Sequence, residues 1–266
     1  MLKSELHVAY IQYDIKWQNR TQNLATLDHY LDTLPEDTDL IVLPEMFSTG
    51  FSVSEGFHPE MAIDSPSLEW MKAKAQEHRC AIAGSIAIND AGHNYNRLYF
   101  IHHDGTCSHY DKRHLFCLSQ EPQNYSPGKQ QVTVDFLGWK IRLGICYDLR
   151  FPVWLRNNYR NGDFDYDILL LVANWPSSRN LAWVHLLKAR AIENQCYAIG
   201  VNRTGKDGHN TPHAGNSMVC NLDGSTLLES NSEEGLFSFT LRKSDLDASR
   251  AKFNPAPDWD SFELRI

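Results

Sequence analysis

The chain has 266 residues, is 42% hydrophobic and carries a formal net charge of -8, enough apolar content for one large core or two small ones, with one domain the expectation at this size. Charges of both signs are dispersed, with no basic stripe or arginine-rich run, which argues against a nucleic-acid partner. No apolar run approaches the ~20 residues of a membrane span, and Met1-Leu2-Lys3-Ser4-Glu5 runs into a strand pattern without a signal-peptide apolar block.

Leu6 to Tyr13 reads as a strand. Thr21 to Leu34 carries Leu24, Leu27, Leu31 and Leu34 at helical spacing before Pro35. Asp39 to Leu43 is a short unbroken apolar run, as in a buried parallel strand, and ends at Pro44-Glu45. Ser67 to Arg79 predicts a helix with Ser65 or Ser67 as its cap. Ala81 to Ile88 predicts a strand, and Asn96 to His102 with Thr106 to Tyr110 a hairpin around Asp104-Gly105.

After a loop through Pro127-Gly128, Trp139 to Ile145 alternates, with Ile141, Leu143 and Ile145 on one face. Asp167 to Ala173 predicts a second buried strand, ending at Asn174-Trp175-Pro176. Leu181 to Cys196 predicts a helix with Leu181, Val184, Leu187 (or Lys188), Ala191 and Ile192 facing the core. Ala198 to Asn202 and Gly235 to Leu241 read as strands, and Ser217 to Asn221 with Ser225 to Leu228 as a hairpin around Asp223-Gly224. The tail, Phe253 to Ile266, is rich in Pro and aromatics without periodicity. Mixed sheets packed on each other, helices outside, in a single domain over residues 1–266 is the expected α+β or α/β arrangement.

Six cysteines, at 80, 107, 117, 146, 196 and 220, lack any C-x-x-C pair, the spacing neither of a zinc module nor of a disulfide framework. A reducing cytoplasm is the expected compartment. Twelve histidines, densest at His102-His103, His109 and His114, include no helical H-E-x-x-H pair, so neither metal nor other cofactor is expected. Cys107, Cys117, Cys196 and Cys220 read as ordinary buried or partly buried thiols.

Three reactive side chains follow one rule: Glu45, Cys146 and Asn174 each come just after a predicted strand. In open α/β sheets the carboxyl ends of strands line the ligand crevice, so the three should converge. Lys112 follows the first hairpin. Singly, Cys146 reads as a small core residue, Glu45 as a surface or capping carboxylate and Lys112 as a solvated lysine. Together they make a reaction. A thiol, mostly protonated at neutral pH, needs a base or a nearby positive charge. Glu45 can take its proton, and Lys112 favours the thiolate and then an oxyanion, with the backbone N–H of Tyr147 as second donor.

The segments Leu43-Pro44-Glu45-Met46-Phe47, Tyr110-Asp111-Lys112-Arg113-His114-Leu115-Phe116 and Cys146-Tyr147-Asp148-Leu149-Arg150-Phe151-Pro152 resemble the nitrilase (carbon–nitrogen hydrolase) superfamily, in its Glu–Lys–Cys order. Val172-Ala173-Asn174-Trp175-Pro176 and Ala189-Arg190-Ala191-Ile192-Glu193-Asn194 extend the likeness over nearly the whole chain, and its wording is most similar to the bacterial omega-amidase branch. The resemblance implies an αββα sandwich, Cys146 as nucleophile, Glu45 as general base and Lys112 as electrostatic stabiliser. It also implies that Glu121, in Ser119-Gln120-Glu121-Pro122, orients Lys112 and relays a proton. It implies a homodimer or higher homo-oligomer, with the tail, 253–266, at the interface or packed on its own subunit.

The implied substrate is the terminal amide of a short oxo-dicarboxylate monoamide such as 2-oxoglutaramate or 2-oxosuccinamate, with water as co-substrate. An N-carbamoyl acid, a nitrile, or a non-catalytic interaction role are the alternatives. Arg150, Arg113 and Arg179 are candidates for the substrate carboxylate, although Arg150 also reads as a partner of Asp148 or Glu193. Phe47, Tyr125, Tyr147 and Trp175 are candidate pocket walls, with a packed core aromatic the competing reading of each. His114 reads as supporting the site or as a loop histidine satisfied on its own.

Overall fold

The computed structural model describes residues 2–265. Two mixed sheets stack face to face. The first runs Gly235–Arg242, Glu5–Gln12, Leu40–Val42, Ala81–Asp90, His93–Ile101, Cys107–Asp111, with Glu60–Met61 paired to the far end of Ala81–Asp90. The second runs Thr226–Glu229, Met218–Cys220, Tyr197–Val201, Ile168–Val172, Trp139–Ile145, Thr133–Phe136. Each has a parallel middle: Leu40–Val42 lies between two parallel neighbours, as does Ile168–Val172. These are the unbroken apolar runs of the sequence, and they are buried on both faces.

Alternation along the strands builds the layers. Leu6, Val8 and Tyr10, with Leu40 and Val42, point into the space between the sheets, where Ile141 and Leu143 meet them. Their neighbours Ile11 and Ile41 point outward, under the helices Arg20–Leu31 and Pro66–His78, through Leu27, Leu31, Met71 and Ala75. The helix Asn180–Asn194 covers the outer face of the second sheet. The result is the four-layer αββα sandwich, in which each fully buried leucine or isoleucine contributes about 1.5–3 kcal/mol relative to exposure.

Several elements differ from expectation. The first helix ends at Leu31 rather than Leu34, because the Thr33 and Leu34 N–H groups turn to the Tyr30 and Leu31 carbonyls in tighter three-residue turns. Ser65, not Ser67, caps the second helix, its side chain accepting from the Leu68 N–H ahead of Pro66. In Asn180–Asn194 the buried face is Trp183, Leu187, Arg190, Ala191 and Asn194. Leu181 is 74% and Ile192 49% exposed, so the true stripe is set by Trp183, and polar Arg190 and Asn194 take core places through hydrogen bonds to the Leu149 carbonyl and the Asn157 N–H. Cys107 and Cys117 are exposed, while Cys196 and Cys220 are buried. Each exposed thiol lies outside the packed sandwich interior, one on an edge strand and one in a loop.

The strand Thr133–Phe136 and the helix Lys243–Lys252 lack an apolar pattern strong enough to read. The tail lays Trp259 against Phe164 and under Arg156, on its own chain; its last residue, Ile266, lies outside the described residues.

Candidate active site

The strand Trp139–Ile145 hands the chain to a 3₁₀ turn, Cys146–Arg150. Cys146 makes the bend with φ +46°, a conformation that costs a non-glycine residue of order 1 kcal/mol or more and persists only where its surroundings enforce it. Asp148 does much of the enforcing. Its Oδ2 accepts from the Ile145 N–H at 3.0 Å and the Tyr110 hydroxyl at 2.7 Å, and its Oδ1 accepts from the His114 N–H at 3.0 Å. Arg190 closes the far end, donating to the Leu149 carbonyl at 2.6 Å.

Glu45 sits in the turn after Leu40–Val42. That turn is pinned to the neighbouring strand by Met46 N–H to Ser85 Oγ, 2.8 Å, and Phe47 N–H to the Ser85 carbonyl, 3.2 Å. Lys112 follows Cys107–Asp111, with its N–H on the Asn96 carbonyl at 2.9 Å. Glu121 opens a four-residue helix, Glu121–Asn124. Glu45, Lys112 and Glu121 are buried and in direct contact. Lys112 Nζ lies 2.9 Å from Glu45 Oε1 and 3.0 Å from both oxygens of Glu121. Asn174 joins them: its N–H donates to Glu45 Oε2 at 2.7 Å, and its side-chain amide donates to the Glu45 carbonyl.

Asn96, absent from the sequence reading, bridges the two carboxylates, donating to Glu45 at 2.7 Å and Glu121 at 3.3 Å. Its signal was faint, one amide in a strand that alternates weakly. The Oδ1 atoms of Asn96 and Asn174 are buried without a partner among the described residues, the cost of turning both amide nitrogens to the acidic cluster.

The electrostatics follow from this packing. Burial opposes the Lys112 charge, but Glu121 and Glu45 outweigh it and hold the ammonium above the usual lysine range. Burial, then the Glu45 carboxylate, push the Cys146 thiol well above the ordinary range, against the pull of Lys112. Burial also raises the Glu121 carboxyl, with Lys112 opposing and Glu45 adding to it. Burial and the Glu45 charge both favour the protonated form of Cys146, with Glu45 beside it.

A cavity of about 570 Å³ opens onto this cluster, lined among others by Glu45, Lys112, Cys146, Tyr147, Asn174 and Trp175. Phe51 and Phe116, not singled out in the sequence as walls, line it too, and the Phe51 ring lies 4.9 Å from Lys112 Nζ. Phe47 and Tyr125 do not line it. Phe47 is packed under the outer helices against Trp70, and the Tyr125 hydroxyl is turned to the Ser52 carbonyl at 2.9 Å.

Arg150 and Arg179 line the cavity, but Arg113 does not; it donates to the Gly128 carbonyl at 3.2 Å and stacks on Trp154. Arg150 pairs with neither Asp148 nor Glu193. The first is filled by Tyr110, His114 and Ile145, and the second binds Arg190 at 2.7 Å. Instead Arg150 lies over Trp175 at 4.9 Å and Arg179 over Phe116 at 5.4 Å. His114 contacts Asp148 at 2.8 Å and stacks on Phe151, away from the cavity. Among the described residues no group of three His, Cys, Asp or Glu side chains could hold a metal ion, and no helix is long and apolar enough to cross a membrane.

A carbon-nitrogen hydrolase family model matches residues 7–251; the chain belongs to this family of hydrolases, which act on carbon–nitrogen bonds of amides. It is 40% identical to the omega-amidase YafV of Escherichia coli strain K12 over 97% of this chain and 98% of that one. It is 33% identical to the 2-oxoglutaramate amidase of Bacillus subtilis strain 168, over 86% and 88%. The crystal structure of XC1258 from Xanthomonas campestris, a CN-hydrolase superfamily protein with an arsenic adduct in its active site, superposes with a TM-score of 0.94 at 37% identity, over 98% and 99% of the two chains.

Proposed function

We propose that the protein hydrolyses the terminal amide of a short oxo-dicarboxylate monoamide, such as 2-oxoglutaramate or 2-oxosuccinamate, through a Cys146 thioester. One observation carries the reading: the buried Glu45–Lys112–Glu121 cluster and Cys146 share a cavity with two guanidiniums, Arg150 and Arg179, that stack on its aromatic walls without a carboxylate partner among the described residues. In a chain of net charge -8, unpaired arginines in a cavity favour an anionic ligand. The relatives named above point the same way.

In the first half-reaction Glu45 takes the thiol proton as sulfur attacks the amide carbon. Lys112 Nζ and the N–H of Tyr147, in the first turn of the 3₁₀ segment and free of an intrahelical acceptor, stabilise the oxyanion. Glu45 returns the proton to the leaving nitrogen, and ammonia departs. Water, deprotonated by Glu45, then cleaves the thioester to the acid and restores the thiol. Glu121 accepts from Lys112, Asn96 and the Phe116 N–H. In this reading it holds Lys112 and carries no proton, which departs from the relay implied by family resemblance. We also infer a cytoplasmic homodimer or higher homo-oligomer, which light scattering of the purified protein would test.

The test is ammonia release from 2-oxoglutaramate, with N-carbamoyl-β-alanine and a simple nitrile alongside, by the wild type and by Cys146→Ala. Release from the oxo-amide alone, lost in the variant, is the expected result. Turnover retained by Cys146→Ala would overturn the nucleophile assignment, and faster release from either comparison substrate would move the substrate class.

A further inference from the structure

The two-stranded ribbon Thr204–Lys206 with Pro212–Ala214 reaches over the cavity and brings His213 into its wall. The backbone of His213 bridges to Pro176, two residues beyond the Asn174 whose N–H holds Glu45. His213 and Glu45 line the same cavity, and the Glu45 charge acts on the imidazole.

Its hydrogen bonding fixes its tautomer. His213 Nδ1 lies 3.0 Å from the Thr211 carbonyl, which can only accept, so Nδ1 carries the proton. In a neutral ring Nε2 is then a bare acceptor. The ring stays neutral for two reasons: it is 92% buried, being only 8% exposed, and the buried Arg203 guanidinium stands nearby. Burial first and Arg203 second push its pKa down to about 4, against Asp207, Thr211 and Glu45. No described residue donates to Nε2. The mechanism above gives it no role.

We infer that His213 Nε2 accepts an N–H of the scissile amide and of the departing ammonia, making His213 a specificity residue that selects primary amides over esters of the same acid. The inference rests on amide hydrolysis at Cys146. A primary amide offers two N–H donors and ammonia three, whereas Glu45 is occupied on Oε1 by Lys112 and Asn96 and on Oε2 by the Asn174 N–H. A second acceptor beside Glu45 lets the nitrogen leave with its donors satisfied. An ester presents no donor there, and its oxygen faces the Nε2 lone pair. Only a hydrogen bond is involved, so no proton is transferred to His213.

The experiment compares kcat/KM for 2-oxoglutaramate with that for the methyl ester of the same terminal carboxyl, in the wild type, His213→Phe and His213→Gln. For the amide, His213→Phe should lose about three- to tenfold, the worth of one neutral hydrogen bond, with the ester within twofold. His213→Gln, which retains an acceptor, should recover most of the loss. Equal losses on amide and ester, or an amide rate unchanged in His213→Phe, would overturn the proposal. If the wild type leaves 2-oxoglutaramate intact, the oxo-amide reading fails by itself. The same comparison with propionamide and methyl propionate then decides the role of His213 by the same criteria.

Discussion

Lys112 Nζ stands 3.0 Å from both carboxylate oxygens of Glu121, and neither side chain is exposed to solvent. With Glu45 at 2.9 Å the ammonium is shared between two buried carboxylates. Removing it is therefore a different event from removing either acid. Lys112→Met leaves two carboxyl groups face to face with only Asn96 between them. We expect it to cost about 3–5 kcal/mol in urea unfolding, the scale of a broken buried ion pair. Glu121→Gln preserves the Lys112–Glu45 pair and should cost less, about 1–3 kcal/mol, while still lowering kcat. Equal losses in the two variants would show that solvent relaxes the cluster.

Glu45, the base in the proposed reaction, also restrains the thiol. As a carboxylate it raises the Cys146 pKa, whereas Lys112 lowers it. Neutralising it in Glu45→Gln removes an opponent of the thiolate, so the thiolate forms at lower pH. The midpoint of Cys146 alkylation by iodoacetamide should move to lower pH in Glu45→Gln while amide turnover is lost. Mass spectrometry of the Cys146 peptide separates this thiol from the exposed Cys107 and Cys117. A midpoint moving upward would mean that Glu45 is not the dominant charge on the thiol.

The two cavity arginines should act on binding. Arg150→Ala and Arg179→Ala should each raise KM for the oxo-dicarboxylate monoamide about tenfold or more, the scale of a charged hydrogen bond. A neutral primary amide of similar length should be affected less than twofold. Arg150→Lys should not rescue, because an ammonium cannot reproduce the flat guanidinium over Trp175. Equal effects on the neutral amide would assign these residues to shaping the wall.

Gly128 donates its N–H to the Lys112 carbonyl at 2.9 Å, and a Cβ there would lie 2.0 Å from the Asp111 carbonyl oxygen. Backbone cannot yield as a side-chain tip can. Gly128→Ala should displace the segment that carries Lys112, lowering both thermal midpoint and kcat. A variant with wild-type kcat and an unchanged midpoint would show that this loop moves freely of Lys112.

Much of this protein was legible along the chain. Period-two alternation in Trp139–Ile145 and the unbroken runs at Leu40 and Ile168 placed the central strands, because burial on one or both faces writes itself into neighbouring residues. Glu45, Cys146 and Asn174 could be placed at strand ends for the same local reason, and Lys112 after its hairpin. The walls could be placed only in part: Tyr147 and Trp175 do line the cavity. Phe47 and Tyr125 are apolar residues near reactive ones in sequence, yet Phe47 packs under the helices and Tyr125 turns to Ser52. Phe116 and Phe51 took the places beside the cluster. Arg113 and Arg150 are both arginines near site motifs, and only the turn held by Asp148 decides that Arg150 lines the cavity. Asn96 and His213 are separated from Glu45 by 51 and 168 positions, respectively. What they do depends on which sheet edge and ribbon fold over which strand end. The sequence by itself determined the central strands, the order of the reactive residues and the family. The tertiary structure alone decided which side chains face the thiol, because long-range packing, not local periodicity, sets the direction of a side chain in a loop.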